Sequence, residues 1–526
     1  MMSFATKRAP VRRRNKLMAI VASMLPLVAA GMADAGVTVV NGFEGGSQLI
    51  NCALGECFRP PDTMGAVGTT QFMETANGYI RIYDKNTGAV QSSVSMRQFW
   101  TDAGQIGAAN GDQRVLFDHY TNRWIAIGFG SSTNFINIGV SDTANAMGTW
   151  KSTQIVGASI GVPATTLDYP TLAVNGQGVV IGTNNFPFAG GFSGTSLLVI
   201  PKTSLFGGAP SLAGMTTFTT PCVGACATPD NGFAIQGAVN WFNGATTTMA
   251  VQSDSRDFNA QVFYKVNGVN AAGATQTPSA YIAGEVYVVA GAGRQPDGSR
   301  LVDTLSPRIT GNVAQLNGKL YSAITVDDGT GHAAVRWSVV DAATGLLIDQ
   351  GLISGGGYDY YEGSISVNEF GEAVIGYNRS GFQTADTNAD GLADGNISFL
   401  AQAFLVDGGG GLDPYGSEML LRVSPISDYH AGARSGCDPN VSNCRERWGD
   451  YSAVTFDPTN HYRFFAIGEY ASDWATYPNG LERAVWSTYI AEIEVVPEPE
   501  TYLLVLLGLA MATVTARRRR PTSGTA

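Results

Sequence analysis

Five acidic residues recur at one place in a repeated pattern. Asp62, Asp112, Asp168, Glu362 and Asp450 each stand just ahead of a short apolar run, as in Pro61-Asp62-Thr63-Met64-Gly65-Ala66-Val67 and Gly449-Asp450-Tyr451-Ser452-Ala453-Val454. Arg114 and Arg447 lie close to two of them. If the chain brings these carboxylates together, they raise one another's pKa, which supplies a general acid, or they bind a cation. The structural alternative is that each accepts backbone N–H bonds where its strand begins.

A second group has metal-ligand spacing. Asp386-Thr387-Asn388-Ala389-Asp390-Gly391-Leu392-Ala393-Asp394 places oxygen side chains at positions 1, 3, 5 and 9, with Gly at 6 for a sharp turn and Leu392 offering its carbonyl. Calcium is the expected ion. Ile397 stands where an EF-hand has its twelfth-position Glu, so the loop is not a complete EF-hand. Trp448, Trp474, Trp486, Tyr358, Tyr360 and Tyr361 are candidate stacking platforms for sugars, with core wedges as the alternative. No G-x-S-x-G, H-E-x-x-H or P-loop pattern occurs, which removes the common hydrolase and nucleotide readings.

The elements that must position these residues are strands. Short β-rich runs punctuated by Gly, Asn and Asp recur throughout, among them Tyr79-Ile80-Arg81-Ile82-Tyr83, Trp124-Ile125-Ala126-Ile127 and Val286-Tyr287-Val288-Val289. Segments of polar start, apolar strand, turn and second apolar strand begin near Pro61, Gly111, Asp168, Pro229, Ser306, Tyr361 and Gly449. Seven starts at roughly 65 residues each predict an all-β, seven-bladed β-propeller, or six blades with an insertion. A parallel β-helix is the rival, but its repeats are much shorter. In a propeller, equivalent strand starts converge on one mouth of the central channel, so distant carboxylates can meet.

Both ends read as addresses. Lys7, Arg8, Arg12, Arg13, Arg14 and Lys16 precede an apolar run from Leu17 to Met32 and the small-residue site Ala33-Asp34-Ala35, the pattern of a cleavable signal peptide over 1–35. At the other end Pro497-Glu498-Pro499 is followed by an apolar run from Tyr502 to Ala516 and by Arg517 to Arg520, with a tail at 521–526. Fifteen residues at ~1.5 Å each are short for a bilayer core. Between the addresses, residues 36–496 form the body, with 22 Lys/Arg against 40 Asp/Glu, or about −18 where the whole chain is −11. Such a body repels phosphate backbones, which argues against nucleic acid. The six cysteines fall in three close pairs: Cys52 with Cys57, Cys222 with Cys226, and Cys437 with Cys444. An even set in an exported chain predicts disulfides. None is C-x-x-C and the four His do not cluster near them, which argues against zinc.

Two resemblances follow. Pro-Glu-Pro, the short hydrophobic segment and the arginine cluster over 497–520 resemble the PEP-CTERM sorting signal. That resemblance implies a Gram-negative source, an inner-membrane intermediate, processing by an exosortase and delivery to the cell surface or the exopolysaccharide matrix. Pro60-Pro61-Asp62-Thr63-Met64-Gly65-Ala66-Val67-Gly68, Phe117-Asp118-His119-Tyr120-Thr121-Asn122-Arg123-Trp124, Leu167-Asp168-Tyr169-Pro170 and Arg447-Trp448-Gly449-Asp450-Tyr451-Ser452 are similar to secreted propellers of the sialidase-like superfamily. Ser141-Asp142-Thr143 through Gly148-Thr149-Trp150 resembles a stretched Asp-box, a structural turn of that superfamily. A sialidase-type hydrolase would need an arginine triad, for which Arg59, Arg114, Arg308 and Arg447 are available, with Tyr360 or Tyr361 beside Glu362, and Asp62 or Asp450 as second carboxylate. The expected function is therefore a surface or matrix binding module without established catalysis. The alternative is a glycoside hydrolase acting on extracellular glycans.

Overall fold

The computed structural model describes residues 36–105, 109–130, 133–221, 231–298, 301–428, 446–476 and 482–497. Thr38–Glu494 forms the compact body. Its β-branched and aromatic runs form strands, and the Gly, Asn and Asp clusters between them form the turns, as β-propensity and turn chemistry require. Blade 1 is Met64–Val67, Gln71–Ala76, Tyr79–Asp84 and Val90–Ser95, each strand antiparallel to the next. Blades 2, 3, 5 and 6 repeat this four-strand meander, opening with Gly111–Asp118, Thr165–Val174, Val313–Leu316 and Asp359–Val367. Blade 4 opens with Phe233–Val239 and ends in two short strands, Thr275–Gln276 and Ala280–Val286, that share one partner, Ala260–Asn267.

Among the described residues seven blades are traced, the fourth and fifth joined in one nine-stranded sheet by a parallel pairing of Phe233–Val239 with Val313–Leu316. The first strands touch in sequence around a ring, and Met64–Val67 also touches Ala453–Asp457 of blade 7, which closes it. The closure is made by the ends of the body: blade 7 is Ala453–Asp457, Asn460–Thr476 and Glu482–Val496, and its outermost strand is Gly36–Ser47. The predicted starts match these blades with one displacement: blade 5 opens at Val313, a few residues beyond the Ser306-Pro307-Arg308-Ile309 start read from sequence. The stretched Asp-box is the turn between Phe135–Ser141 and Trp150–Val156, with the Asp142 N–H donating to the Thr149 carbonyl at 2.8 Å.

Apolar packing between sheets fills the blades, and buried ions bolt some of them together. Lys85 of blade 1 donates to both carboxylate oxygens of Asp457 in blade 7 at 2.6 and 2.7 Å, and Lys202 of blade 3 pairs with Asp118 of blade 2 at 2.6 Å. The two Asp residues occupy equivalent hairpins, Phe117-Asp118 and Phe456-Asp457, so one motif is used twice for one purpose.

Of the three predicted disulfides, one is described: Cys52 and Cys57 are bonded. The other two fall elsewhere. Cys222 and Cys226 lie in one stretch outside the described residues, Cys437 and Cys444 lie in another, and no bond is described for either pair. The signal peptide expected over 1–35 and the sorting segment beyond Pro497 also lie outside the described residues.

Candidate functional site at the channel mouth

A β-bulge opens the first strand in four blades. Asp112 and Gln113 face Gly128 alone, Tyr169 and Pro170 face Thr183, Ala234 and Ile235 face Ser253, and Glu362 and Gly363 face Tyr377. The first residue of each bulge is left-handed, with φ 46°, 49°, 52° and 56°, and Asp62, just ahead of blade 1, has φ 49°. A bulge of this kind re-aims its side chain, here toward the channel axis. The register corrects the sequence reading at one place: Tyr169, and not Asp168, is the equivalent of Asp112 and Glu362.

Each strained backbone is held from the preceding blade. Asn77 accepts from the Asp112 N–H at 2.8 Å, Asp112 from the Tyr169 N–H at 3.2 Å, Asn184 from the Ala234 N–H at 2.9 Å, and Thr325 from the Glu362 N–H at 3.1 Å. Asp62 accepts from the Asp450 N–H at 2.9 Å and from the Asn77 amide at 2.5 Å. Asp62 and Asp112 thus accept backbone N–H bonds that come from other blades and not from their own strand starts.

The acidic residues do converge, in two layers. Asp168, Arg447 and Asp450 line an open cleft of about 210 Å³ together with Tyr169, Asn184, Phe186, Phe233, Asp303 and Arg308. Asp62, Asp112 and Glu362 are buried, at 3%, 8% and 1% exposure, and do not line it. Burial, with Asp450 next in importance, pushes Asp62 up to about 8 and Asp168 up to about 6. Burial also holds Asp112 and Glu362 well above the carboxylate range, reinforced by their acidic neighbours. Arg447 donates to Asp450 at 3.0 Å.

Glu469 was not anticipated. It reaches the same layer from the second strand of blade 7, is buried, and is pushed well above the usual range by burial and then by Glu362. A Cβ at Gly449 would sit 2.9 Å from one of its oxygens and 4.0 Å from Glu362, so a side chain there would press on the Glu469 carboxyl. Among the described residues one oxygen of Glu362 and one of Glu469 have no hydrogen-bond partner. The only sequence signal was an acid inside an apolar strand, Ile467-Gly468-Glu469-Tyr470.

Below the carboxyls, Arg114 closes the channel. Its side chain is 1% exposed, its guanidinium lies 3.8 Å from the Tyr451 ring centroid, and it donates to the carbonyls of Pro170 and Thr310 at 3.1 Å each. The mouth is therefore a blind cleft. At the far end His119 stacks on Trp241 at 4.5 Å beside Phe456, and burial pushes its imidazole down to about 3.

Other expectations change. No arginine triad assembles from Arg114, Arg308 and Arg447, since Arg114 is spent on backbone carbonyls under the cleft and Arg447 on Asp450. Trp448, Trp486, Tyr360 and Tyr361 are core residues, because their flanking strands bury them between blades; Trp474 and Tyr358 are half-buried. An aromatic run missed by sequence, Phe186, Phe192, Phe233 and Phe258, flanks the cleft instead, with ring centroids 5.1 to 5.7 Å apart. The Asp386–Asp394 loop is the exposed connection between Glu372–Ser380 and Ser398–Val406. Asp386 accepts from the N–H groups of Asp390 and Gly391, Asp390 from that of Leu392, and Asp394 from Thr387. Asn388 donates its amide to Asp390. Among the described residues no three His, Cys, Asp or Glu side chains form a metal-binding group.

The PEP-CTERM protein-sorting motif matches residues 495–520. No curated protein is similar to the chain in sequence. Solved structures with similar folds include a protein of unknown function from Dyadobacter fermentans, 10% identical, covering 88% of this chain and 99% of that one with a TM-score of 0.35. The β-propeller domain of the trilobed protease from Pyrococcus furiosus is 6% identical over 77% of this chain and 91% of its own, with a TM-score of 0.32. A polysaccharide lyase of family PL25, an ulvan lyase, is 12% identical over 82% and 92%, with a TM-score of 0.33.

Proposed function

We propose that this β-propeller protein, which its PEP-CTERM signal marks for export, exosortase processing and the Gram-negative cell surface, is a matrix binding module that holds a saccharide at its channel mouth. The observation that supports this most is the cleft itself. Asp168 and Asp450 offer acceptors for sugar hydroxyls, Arg308 and Arg447 offer donors, and Tyr169 and Phe233 offer apolar faces, all in one open cavity. These are the contacts a polar ring with one apolar face needs. Association with exopolysaccharide follows from that chemistry and from the destination. Binding of the processed protein to a glycan array tests it; Asp450→Asn should weaken capture about tenfold, the scale of one charge-assisted hydrogen bond. Capture unchanged by Asp450→Asn would remove the mouth as the binding site.

Glycoside hydrolysis is the second reading. Asp168, pushed up to about 6, retains its proton far better than an ordinary carboxyl, in the same cleft as the ion-paired Asp450, and such a contrast suits an acid and a base. Glu362 is too deep to act as its nucleophile. Release of sugar from an exopolysaccharide preparation, abolished by Asp168→Asn, would establish this reading. Calcium belongs to the same proposal for the Asp386–Asp394 loop, where Ala389 at φ 60° and Gly391 at φ 86° supply the turn such loops need. Calcium that raises Tm, with the rise lost in Asp386→Asn, is the expected result; equal melting with calcium and with chelator excludes it.

A further inference from the structure

Arg308 differs from the other charged groups of the mouth. Arg447 is paired with Asp450 at 3.0 Å, but Arg308 makes no ion pair and no side-chain hydrogen bond among the described residues, and its Nε is shut away from solvent without an acceptor. Asp168 and Asp254 feel its charge, yet neither comes within ion-pair distance. Two rings hold it instead: its guanidinium carbon lies 5.1 Å from the Phe233 centroid and 5.6 Å from that of Tyr169. The backbone that follows is pinned on both sides. Tyr169 donates its hydroxyl to the Ile309 carbonyl at 3.1 Å, Arg114 donates to the Thr310 carbonyl, and the Thr310 hydroxyl donates to the Gly363 carbonyl at 3.0 Å. The result is a planar, permanently charged donor, fixed in place and facing a cleft, with no anion bonded to it.

A guanidinium left without a bonded anion in a half-buried setting implies that the ligand brings one. The setting limits what that ligand is. The body carries about −18, so a densely charged polymer is repelled everywhere except at a local cation. Phe186 and Phe233 line the wall next to Arg308, and Phe192 and Phe258 continue it. Asp168 and Asp450 offer acceptors in the same cleft, suited to hydroxyls and hostile to a second anion.

We propose that Arg308 makes the mouth select acidic saccharides, taking one carboxylate or sulfate oxyanion of a sugar unit whose apolar face lies on the phenylalanine wall. This selectivity rests on the saccharide-binding reading above. Titration calorimetry of the processed protein with polygalacturonate, dextran sulfate and neutral dextran tests it. Wild type should bind a polyanion more tightly than neutral dextran, and Arg308→Ala should weaken polyanion binding about tenfold or more, as loss of a charge-assisted bond does, and by a larger factor than it weakens neutral dextran. The better of the two polyanions identifies the oxyanion as carboxylate or sulfate. Arg308→Lys, which keeps the charge but loses the planar fork, should fall between the two and serves if the Ala variant does not fold. Equal binding of all three polymers, or full polyanion affinity in Arg308→Ala, overturns the selectivity and leaves the saccharide reading in place. No binding to any of the three overturns both.

Discussion

The carboxyl layer under the mouth should make stability fall as pH rises. Glu362, Glu469, Asp112 and Asp62 hold their protons in the fold to higher pH than in the unfolded chain, where Asp titrates near 3.8 and Glu near 4.5. Their contribution is complete below those unfolded values and is lost as pH rises through the folded ones, a window that for Asp62 closes at about 8. Tm is therefore expected to fall between about pH 5 and pH 8. Glu362→Gln, neutral at every pH, should reduce that fall and stabilise the protein at pH 8 by roughly 1–3 kcal/mol. A Tm that is level across the range, or a variant with the wild-type slope, contradicts the burial of this layer. Ligand binding should respond to Asp168, which faces Asp450, Arg308, Arg447 and Asp112. Affinity for an acidic saccharide should rise as pH falls through about 6, when Asp168 takes a proton, and Asp168→Asn should remove the dependence.

Among the elements, the repeated bulge is the device that builds the mouth, and its cross-blade hydrogen bonds hold it. Asn184→Ala would leave the buried Ala234 N–H without an acceptor and should cost about 1–3 kcal/mol in denaturant unfolding. The ion bolts are a harsher test. Lys202→Met strands Asp118, which has 0% exposure, and should cost about 3–5 kcal/mol. Replacing both, with Asp118→Leu added, should recover part of that loss. The strands and turns were legible because alternation, β-branching and Gly/Asn/Asp clusters are local. The bulge was not, because Leu167-Asp168-Tyr169-Pro170 has an acid one residue from where its neighbours have theirs, and only pairing with Asn184 and Gly182 shows which residue is aimed inward.

For the molecule as a whole, the ring is closed by strands from the two ends of the body. Glu74, at 0% exposure, ties that closure. It accepts from the Gly46 backbone of the closing strand, from Tyr79 and Tyr83 of blade 1, and from Thr488 of blade 7. Glu74→Ala leaves those donors unserved, and deleting Gly36–Ser47 bares the edge of Glu482–Val496. Both changes should raise the rate of limited proteolysis of the intact body, the deletion more strongly. A deletion as resistant as wild type would show that the ring closes without its last strand.

The C-terminal sorting signal, the acidity of the body, the all-β class and the blade starts could all be read from the residues in order, because each is written in composition or in short-range periodicity. Five of the carboxylates at the mouth could be read in the same way, but Glu469 and Asp303 could not. Which of them are exposed was a matter for the fold: Asp168 and Asp450 reach the cleft, Asp62, Asp112 and Glu362 lie beneath it, Glu469 joins the buried layer and Arg308 the cleft. Burial at a strand start depends on what other blades lay over it, and those neighbours are as much as 388 residues away, as Asp62 and Asp450 are.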